Sequence, residues 1–129
     1  MYKYDAQVVR VIDGDTLDLI VDLGFKVMFN TRIRMIGIDT PEKNFPYGKV
    51  VKNYLTNLLE GSSVYVDVTK KDKYGRYLGL VYLNKNDEKS VNDMLIDIEM
   101  AKAYHGASRA DIWTAEELEQ KSHKLVKAN

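Results

Sequence analysis

The chain has 129 residues, of which 45% are hydrophobic and 29% charged, so we expect one folded domain over residues 1–129 and exclude a disordered chain. The 19 Lys and Arg residues balance the 19 Asp and Glu residues, which argues against a broad basic face for sequence-independent nucleic-acid binding. Because there is no cysteine, disulfides, thiolate metal sites and cysteine nucleophiles are excluded.

The N-terminal residues 1–5 contain no basic-then-apolar leader, and no stretch is long and apolar enough to predict a membrane span. We therefore expect a cytoplasmic protein without membrane contact, or a secreted one if a leader has been removed. We also expect a monomer.

The first part of the chain predicts a meander of three strands. Residues Val8–Ile12 form an apolar run, and the following Asp13–Asp15 is a tight-turn signal. Apolar and polar residues then alternate over Leu17–Leu23, and Asp15 has the parity of the apolar face, so its carboxylate is expected at the rim of the core. After a turn at Gly24, the residues Val27–Ile38 predict a long third strand.

Charged residues gather where the third strand ends. Pro41 lacks a backbone donor and biases Thr40 toward an extended conformation, which ends the strand. Arg34 lies within the strand, and Asp39 and Glu42 lie at its end. Taken singly, these residues are explained more simply by a solvated turn with an ion-paired arginine.

Turn residues and hydrophobic periodicity divide the rest of the chain into two strands, three helices and one extended piece. We first expect a loop at Asn44–Gly48, a helix at Val50–Leu59 ended by Gly61, a strand at Val64–Val68, a charged turn at Lys70–Gly75 and a strand at Arg76–Leu83. A second helix starts at Ser90, with Asp93 completing its capping box and with a buried stripe formed by Val91, Met94, Leu95 and Ile98. An extended piece at Met100–His105 follows, and then a last helix with Thr114 and Glu117 as its capping box and Trp113 and Leu118 as its hydrophobic staple. These elements predict an α+β fold: a five-stranded OB-type Greek-key β-barrel with three packed α-helices.

Two kinds of charged side chain point to phosphate chemistry. The carboxylates of Asp15, Asp39 and Glu42 stand at strand ends, and carboxylate oxygens suit calcium, magnesium or manganese. Arg34 and Arg76 are paired arginines, which fork onto phosphate oxygens in a geometry that lysine does not reproduce. A metal, cations and a spare carboxylate together meet the needs of phosphodiester cleavage.

Three stretches resemble the signature motifs of the staphylococcal nuclease (thermonuclease) family: Ile12–Thr16, Arg34–Glu42 and Asp72–Arg76. The similarity runs along most of the chain and includes Tyr47–Gly48 and Ser90–Asn92. The resemblance implies a calcium-dependent nuclease that cleaves DNA and RNA at the bond to the 5′-oxygen and leaves 3′-phosphate ends. We expect its substrate to be single-stranded or frayed.

The resemblance also implies a role for each matching residue. The metal-binding residues are Asp15 and Asp39, through their carboxylates, and Thr40, through its backbone carbonyl. The catalytic residues are Glu42, as the general base, and Arg34 and Arg76, which hold the phosphate and stabilise the transition state. The substrate-binding residues are Lys73, Tyr74 and Tyr104, which contact the terminal phosphate and the base of the nucleotide.

This chain departs from the family pattern at three places. The loop after Glu42 is shorter, and the hairpin around Gly24 is longer. Glu99 stands where a glycine commonly ends the second helix, and since a non-glycine residue strains a left-handed cap, we expect this helix to end differently.

Other interpretations remain open at this point. Lys73 and Tyr74 are equally well explained as part of a charged turn, and Tyr104 as an aromatic residue of the core or its rim. The whole chain is also compatible with a catalytically silent nucleic-acid-binding module on the same fold. A protein-interaction domain that binds no nucleic acid fits the neutral charge but not the motifs.

Overall fold

The structure, a computed structural model, describes residues 2–104 and 112–128, with side chains described as far as His123. Its elements are β1 (Tyr4–Asp13), β2 (Thr16–Asp22), β3 (Met28–Met35), β4 (Ile38–Asp39), α1 (Pro46–Leu59), β5 (Ser63–Lys71), β6 (Tyr77–Tyr82), α2 (Val91–Asp97), β7 (Lys102–Ala103) and α3 (Ala115–Ala128). In the described part of the chain, no helix has the length and apolar character needed to cross a membrane.

Five strands close into a barrel in the order β1-β2-β3-β6-β5, with β3 and β6 parallel and the other neighbours antiparallel. Alternate residues of each strand point inward, and Leu17, Ile33 and Val66 are among the fully buried side chains of the core. Helix α1 packs against β1 and helix α2 against β6. The predicted α+β fold, an OB-type barrel with three helices, is confirmed.

The expected third strand is wrong at its end, because it stops at Met35 rather than at Ile38. Gly37 adopts a left-handed backbone (φ 82°), which turns the chain out of the barrel. The next two residues form β4, which pairs with β7 outside the barrel. This break sets Asp39 beside the barrel end instead of along the strand.

Other boundaries also differ from the prediction, and β1 begins at Tyr4 rather than at Val8. Helix α1 starts at Pro46, inside the expected loop. Proline suits the first helical position, because a backbone N–H at that position has no hydrogen-bond partner within the helix. Strand β5 continues to Lys71, so the charged turn is shorter than expected. Strand β6 begins at Tyr77, and Arg76 belongs to the turn before it.

Both predicted helix caps are confirmed. The Ser90 side chain accepts a hydrogen bond from Asp93 N, and the Thr114 side chain accepts one from Glu117 N, each at 3.1 Å. The expected extended piece is a strand only at β7, and His105 lies outside the described residues.

Helix α2 ends in an unexpected way. Ile98, predicted in the buried stripe, caps the helix and is 44% exposed. Glu99 adopts a left-handed backbone (φ 62°). Its N–H donates to Ile96 O, and Met100 N donates to Leu95 O, which is the hydrogen-bond pattern of a Schellman cap. The expectation that this helix ends differently is therefore wrong, because the left-handed cap forms without glycine.

Candidate functional site

The turn between β1 and β2 delivers Asp15 to the barrel end. A Cβ atom on Gly14 would lie 2.7 Å from Thr40 Oγ1 and 2.8 Å from a methyl group of Val51, so only glycine lets this turn come so close to Thr40. Asp15, Asp39 and Thr40 are each 7% exposed. The expectation that Asp15 lies at the rim of the core therefore holds, and the carboxylate is buried there.

Arg34 joins the two buried carboxylates. Its Nη2 donates to Asp15 Oδ2 at 3.3 Å and, at a longer 3.5 Å, to Asp39 Oδ1. Its Nη1 donates to the carbonyls of Met35 and Ile38 at 3.2 and 3.3 Å. Arg34 is only 4% exposed, and four protein acceptors hold its guanidinium in place.

Burial is the main cause of an unusual ionisation of Asp15. The pKa of this carboxyl is raised to about 7, because burial and a hydrogen bond with the carboxyl of Asp13 outweigh the lowering effect of the Arg34 charge. Thr16 Oγ1 donates to Asp15 Oδ1 at 3.1 Å, and Thr40 N donates to Oδ2 at 3.4 Å. At neutral pH, Asp15 thus stands near the midpoint of its titration in the absence of another cation.

Asp13 behaves in the opposite way. Burial raises the pKa of its carboxyl, but hydrogen bonds from Asp15 and Thr16 and the charge of Lys43 together outweigh burial and hold the pKa below its usual range. One of these bonds comes from the backbone N–H of Asp15 at 3.2 Å. Asp13 is therefore the acceptor that organises the turn.

The donor set fits a hard cation. Among the described residues, no three His, Cys, Asp or Glu side chains form a metal-binding group. The two carboxylates of Asp15 and Asp39 and the carbonyl of Thr40 are oxygen donors, and calcium accepts such donors together with water or substrate oxygens. A divalent cation would also offset the cost of burying the Asp15 charge.

Glu42 follows this cluster and is exposed. It lines a cleft of about 300 Å³ together with Asp13, Asp15, Asp39 and Thr40. Its carbonyl accepts a hydrogen bond from Phe45 N at 3.0 Å. A Cβ atom on Gly48 would lie 1.8 Å from that same carbonyl, so the first turn of α1 packs directly on the Glu42 backbone.

A second cleft, of about 680 Å³, has Arg34 in its lining. Its lining includes the other predicted phosphate and nucleotide residues: Arg34, Lys73, Tyr74, Arg76 and Tyr104. Tyr74 is 71% exposed, and its ring lies 5.5 Å from the Arg76 guanidinium carbon and 5.2 Å from Lys73 Nζ. The structure thus divides the predicted residues between two clefts. Arg34 lines the second cleft and is linked to the first through its hydrogen bonds to Asp15 and Asp39.

Arg76 is oriented by a residue that sequence reasoning did not assign. Asp72 Oδ2 accepts from Arg76 Nε at 2.8 Å, and Asp72 Oδ1 accepts from Arg76 N at 2.9 Å. Within the described part of the chain, the terminal nitrogens of Arg76 have no protein acceptor. The signal in the sequence was the i, i+4 spacing of this acid and arginine within one turn.

Trp113 also contacts the site, although its sequence pattern indicates only a hydrophobic staple. Its Nε1 donates to the backbone carbonyl of Asp39 at 3.0 Å, and its ring packs with Tyr47 and Leu118. Tyr104 donates its N–H to Gly37 O at 2.8 Å, and its ring lies 5.9 Å from the Arg34 guanidinium carbon. No local pattern reveals the contact between Trp113 and Asp39, because it joins residues 74 positions apart.

Comparison with known proteins gives a consistent result. Residues 32–128 match the family model described as "Staphylococcal nuclease homologue". The chain is 35% identical over 111 residues to Protein ParB of Escherichia coli, a match that covers 81% of this chain and 60% of that protein. It is 38% identical over 99 residues to an uncharacterized endonuclease of Escherichia coli O157:H7, covering 77% and 60%. It is 31% identical over 107 residues to the micrococcal nuclease of Shigella flexneri, covering 78% and 59%.

Proposed function

The chain belongs to the staphylococcal nuclease family, and from this premise we propose that it is a calcium-dependent nuclease that hydrolyses DNA and RNA. The chain spans about 60% of the length of the curated relatives described above. The activities that their names state are therefore not transferred to it directly, and its own activity is a proposal. One observation carries the proposal: Arg34 lines the cleft that contains Arg76, and it donates hydrogen bonds to Asp15 and Asp39, which line the cleft that contains the carboxylates. A phosphate bound at Arg34 would meet both sets of groups.

The metal is the first part of the proposal. Asp15, Asp39 and the carbonyl of Thr40 would hold calcium, which supplies positive charge to the phosphate oxygens and to a water molecule. The strict octahedral demand of magnesium makes it a poorer substitute in a site built for flexible coordination. Arg34 keeps the two carboxylates close in the absence of the ion, at 3.3 and 3.5 Å from its Nη2.

Glu42 is the proposed general base. Its carboxylate takes a proton from a water molecule while the water oxygen forms a bond to phosphorus and the bond from phosphorus to the 5′-oxygen breaks. The leaving oxygen takes up a proton and departs as a 5′-hydroxyl, so the phosphate stays on the 3′ side. A positioned base of this kind contributes roughly 10²–10⁴-fold to the rate.

The arginines would act on the charge that develops on the phosphoryl oxygens. Arg76 is fixed by Asp72 through its Nε, which leaves its terminal nitrogens directed at a ligand in the second cleft. Each charge-assisted hydrogen bond is worth about 1.5–3 kcal/mol in the ground state, and it accelerates the reaction only as far as it strengthens in the transition state.

The second cleft is the proposed nucleotide site. Tyr74 and Tyr104 offer aromatic faces for a base, and Lys73 offers a cation for a terminal phosphate. Since a base must leave its stack to reach these rings, a single-stranded or frayed substrate fits best.

A second candidate function is a module that binds nucleic acid without cutting it. It is favoured by the four protein acceptors of Arg34, because a phosphate must compete with them. Binding of DNA without turnover at saturating calcium would support this alternative.

The proposal is tested by cleavage of a short, end-labelled single-stranded DNA by the Glu42→Gln variant. We expect a loss of roughly 10²–10⁴-fold in the rate with calcium, while DNA binding is retained. Glu88→Gln is the matched control, since it removes the same charge from an exposed position in the turn before α2. Equal cleavage by wild type and Glu42→Gln would refute the assigned base.

A further inference from the structure

The hairpin between β2 and β3 projects from the barrel with an apolar face. One face of this hairpin lines the barrel interior and continues outward past the barrel. Its cross-strand neighbours are Leu17 with Ile33, Leu19 with Thr31 and Val21 with Phe29. Its outer side chains and their neighbours at the tip are exposed: Leu23 by 46%, Phe25 by 102%, Val27 by 51%, Met28 by 57% and Phe29 by 41%.

The face ends at an apolar cavity of about 330 Å³ at the open end of the barrel, lined in part by Val21, Leu23, Phe29 and Tyr77. Phe25 stands at the hairpin tip in a left-handed backbone (φ 54°), a strained conformation for an aromatic residue. An exposed apolar tip and an apolar cavity therefore occur on the same part of the surface.

The backbone of β3 is also incompletely paired. Its second neighbour, β6, reaches only Ile33–Met35, and no other strand in the described ranges 2–104 and 112–128 lies along Met28–Arg32. Leu23 N donates to Val27 O at 2.9 Å, so the odd-numbered pairs carry the hydrogen bonds with β2. The N–H and C=O groups of Met28, Asn30 and Arg32 therefore point outward from an open edge.

We propose that the chain forms a two-fold homodimer in which the open β3 edges of two copies pair antiparallel around Asn30 and each Phe25 packs at the barrel end of the other copy. This inference does not depend on the proposed nuclease activity, and it departs from our expectation of a monomer. The dimer contact lies at the end of β3 opposite Arg34.

The register around Asn30 is compatible with the side chains. It sets Met28 opposite Arg32 of the second copy and Phe29 opposite its Thr31, so no like charges face each other. Ile33 of the second copy already pairs with its own Tyr77, so the pairing between the copies ends at Met28. The hairpin tip turns out of the sheet there and brings Phe25 against Tyr77 of the second copy, which lines the apolar cavity. A two-fold axis satisfies both copies at once.

The area and the charge favour a second copy over other occupants. Five side chains at this exposure present roughly 500 Å² in each copy, so two copies bring together roughly 1,000 Å², the lower limit of a specific interface. The tip of the hairpin, residues 22–29, carries one acid and one base, Asp22 and Lys26, and the chain has no net charge. A membrane surface or a nucleic acid would call for a cluster of basic residues instead.

Sedimentation velocity on the 14.8 kDa chain tests the proposal across a concentration series. We expect a reversible dimer with a dissociation constant on the order of 10 µM, because the interface is small. Phe25→Gly removes the ring from a backbone that glycine adopts freely, and Asn30→Pro blocks the edge without removing a bond to β2. Both variants are expected to be folded monomers by circular dichroism and to retain any cleavage activity.

Val9→Ser is the control, since Val9 is 52% exposed on β1 and its replacement is expected to leave the dimer intact. A wild-type monomer over the whole series would overturn the proposal, as would a dimer that Phe25→Gly leaves unchanged. Vesicles of phosphatidylcholine and phosphatidylserine, and single-stranded DNA, are tested alongside. Binding of the monomer to either through Phe25 would assign the surface to that partner and reject the homodimer.

Discussion

At the scale of single residues, the site is built around an acid that is costly to ionise. Asp15 is buried beside a second carboxylate, and its pKa is raised to about 7, mainly by burial. Arg34 compensates only in part. The ionised Asp15 carboxylate therefore destabilises the folded chain but provides a strong oxygen donor. Such costs are common where a site must bind a cation.

We predict that Asp15→Asn stabilises the chain in the absence of calcium. Because the folded pKa is above the unfolded value of 3.8, stability is highest below the unfolded pKa and falls as pH rises toward 7. Removing the titrating group should therefore raise the free energy of unfolding at pH 8 by a few kcal/mol, since one pKa unit is about 1.4 kcal/mol. Urea denaturation at pH 5 and pH 8 measures the difference.

Asp13→Asn is the control of opposite sign. Its folded pKa is depressed, so its contribution to stability is present above the unfolded pKa and is lost as pH falls through the folded value. This variant should be less stable than wild type at pH 5, where the Asp15 carboxyl is still protonated and donates to Asp13. If Asp15→Asn were destabilising at pH 8, the assigned cost of burial would be wrong.

At the scale of elements, two backbone positions determine how helices meet the site. Gly48 brings α1 against the Glu42 carbonyl, and Glu99 ends α2 in a left-handed cap next to Tyr47, whose hydroxyl donates to Glu99 O at 3.2 Å. Both positions violate a local preference: one places glycine inside a helix, and the other places a non-glycine residue at a glycine position.

Gly48→Ala should reduce cleavage, because a Cβ atom 1.8 Å from Glu42 O forces the backbone of the base to move. Alanine in a helix ordinarily stabilises by about 1 kcal/mol relative to glycine, so a loss of roughly 1–3 kcal/mol would identify overpacking. Lys49→Ala, exposed on the next position of α1, should be close to wild type in both thermal stability and rate. A stabilised and fully active Gly48→Ala would contradict the packing argument.

Glu99→Gly should stabilise the chain by about 1 kcal/mol, since glycine adopts φ 62° without the cost that a Cβ atom imposes. Both variants lose the long 3.8 Å contact between the Glu99 carboxylate and Lys121. Only Glu99→Ala keeps the Cβ atom, so the difference between the two variants isolates the backbone strain. Thermal melts of the two variants compare them directly. Equal stability of the glycine and alanine variants would show that the cap is not strained.

At the scale of the whole molecule, charge balance limits how the chain binds polymers. We predict that DNA binding by Glu42→Gln with calcium depends only weakly on salt. Arg34, Arg76 and Lys73 would contact about three phosphates, which gives a slope of roughly −2 for log K against log salt on single-stranded DNA. Fluorescence anisotropy from low to moderate salt measures the slope, and a value steeper than about −5 would require a basic surface that the sequence does not predict.

Much of this architecture could be predicted from local patterns. Alternation in β2 identified the core face and the position of Asp15, and the hydroxyl residues Ser90 and Thr114 identified two helix starts. The three motifs identified Asp15 and Asp39, which contact Arg34, and Arg76, which lines the same cleft as Arg34. These features are encoded within a few residues of each other, so periodicity and turn chemistry reveal them.

The remaining features depend on distant partners. An apolar run continues through Met35 to Ile38, so periodicity could not show that Gly37 breaks it and sends β4 to pair with β7. The open edge of β3 arises because β6 begins only opposite Ile33, a register that no single segment reveals. The contact between Trp113 and Asp39 likewise exists only once the barrel and α3 are assembled.

The proposed activity is calcium-dependent cleavage of phosphodiester bonds at this site. Its first test is cleavage of single-stranded DNA by the wild-type chain in calcium, in magnesium and in chelator, with analysis of the product ends. We expect cleavage in calcium, little in magnesium and none in chelator, with 3′-phosphate and 5′-hydroxyl ends. Cleavage that persists undiminished in chelator would exclude a calcium-dependent mechanism.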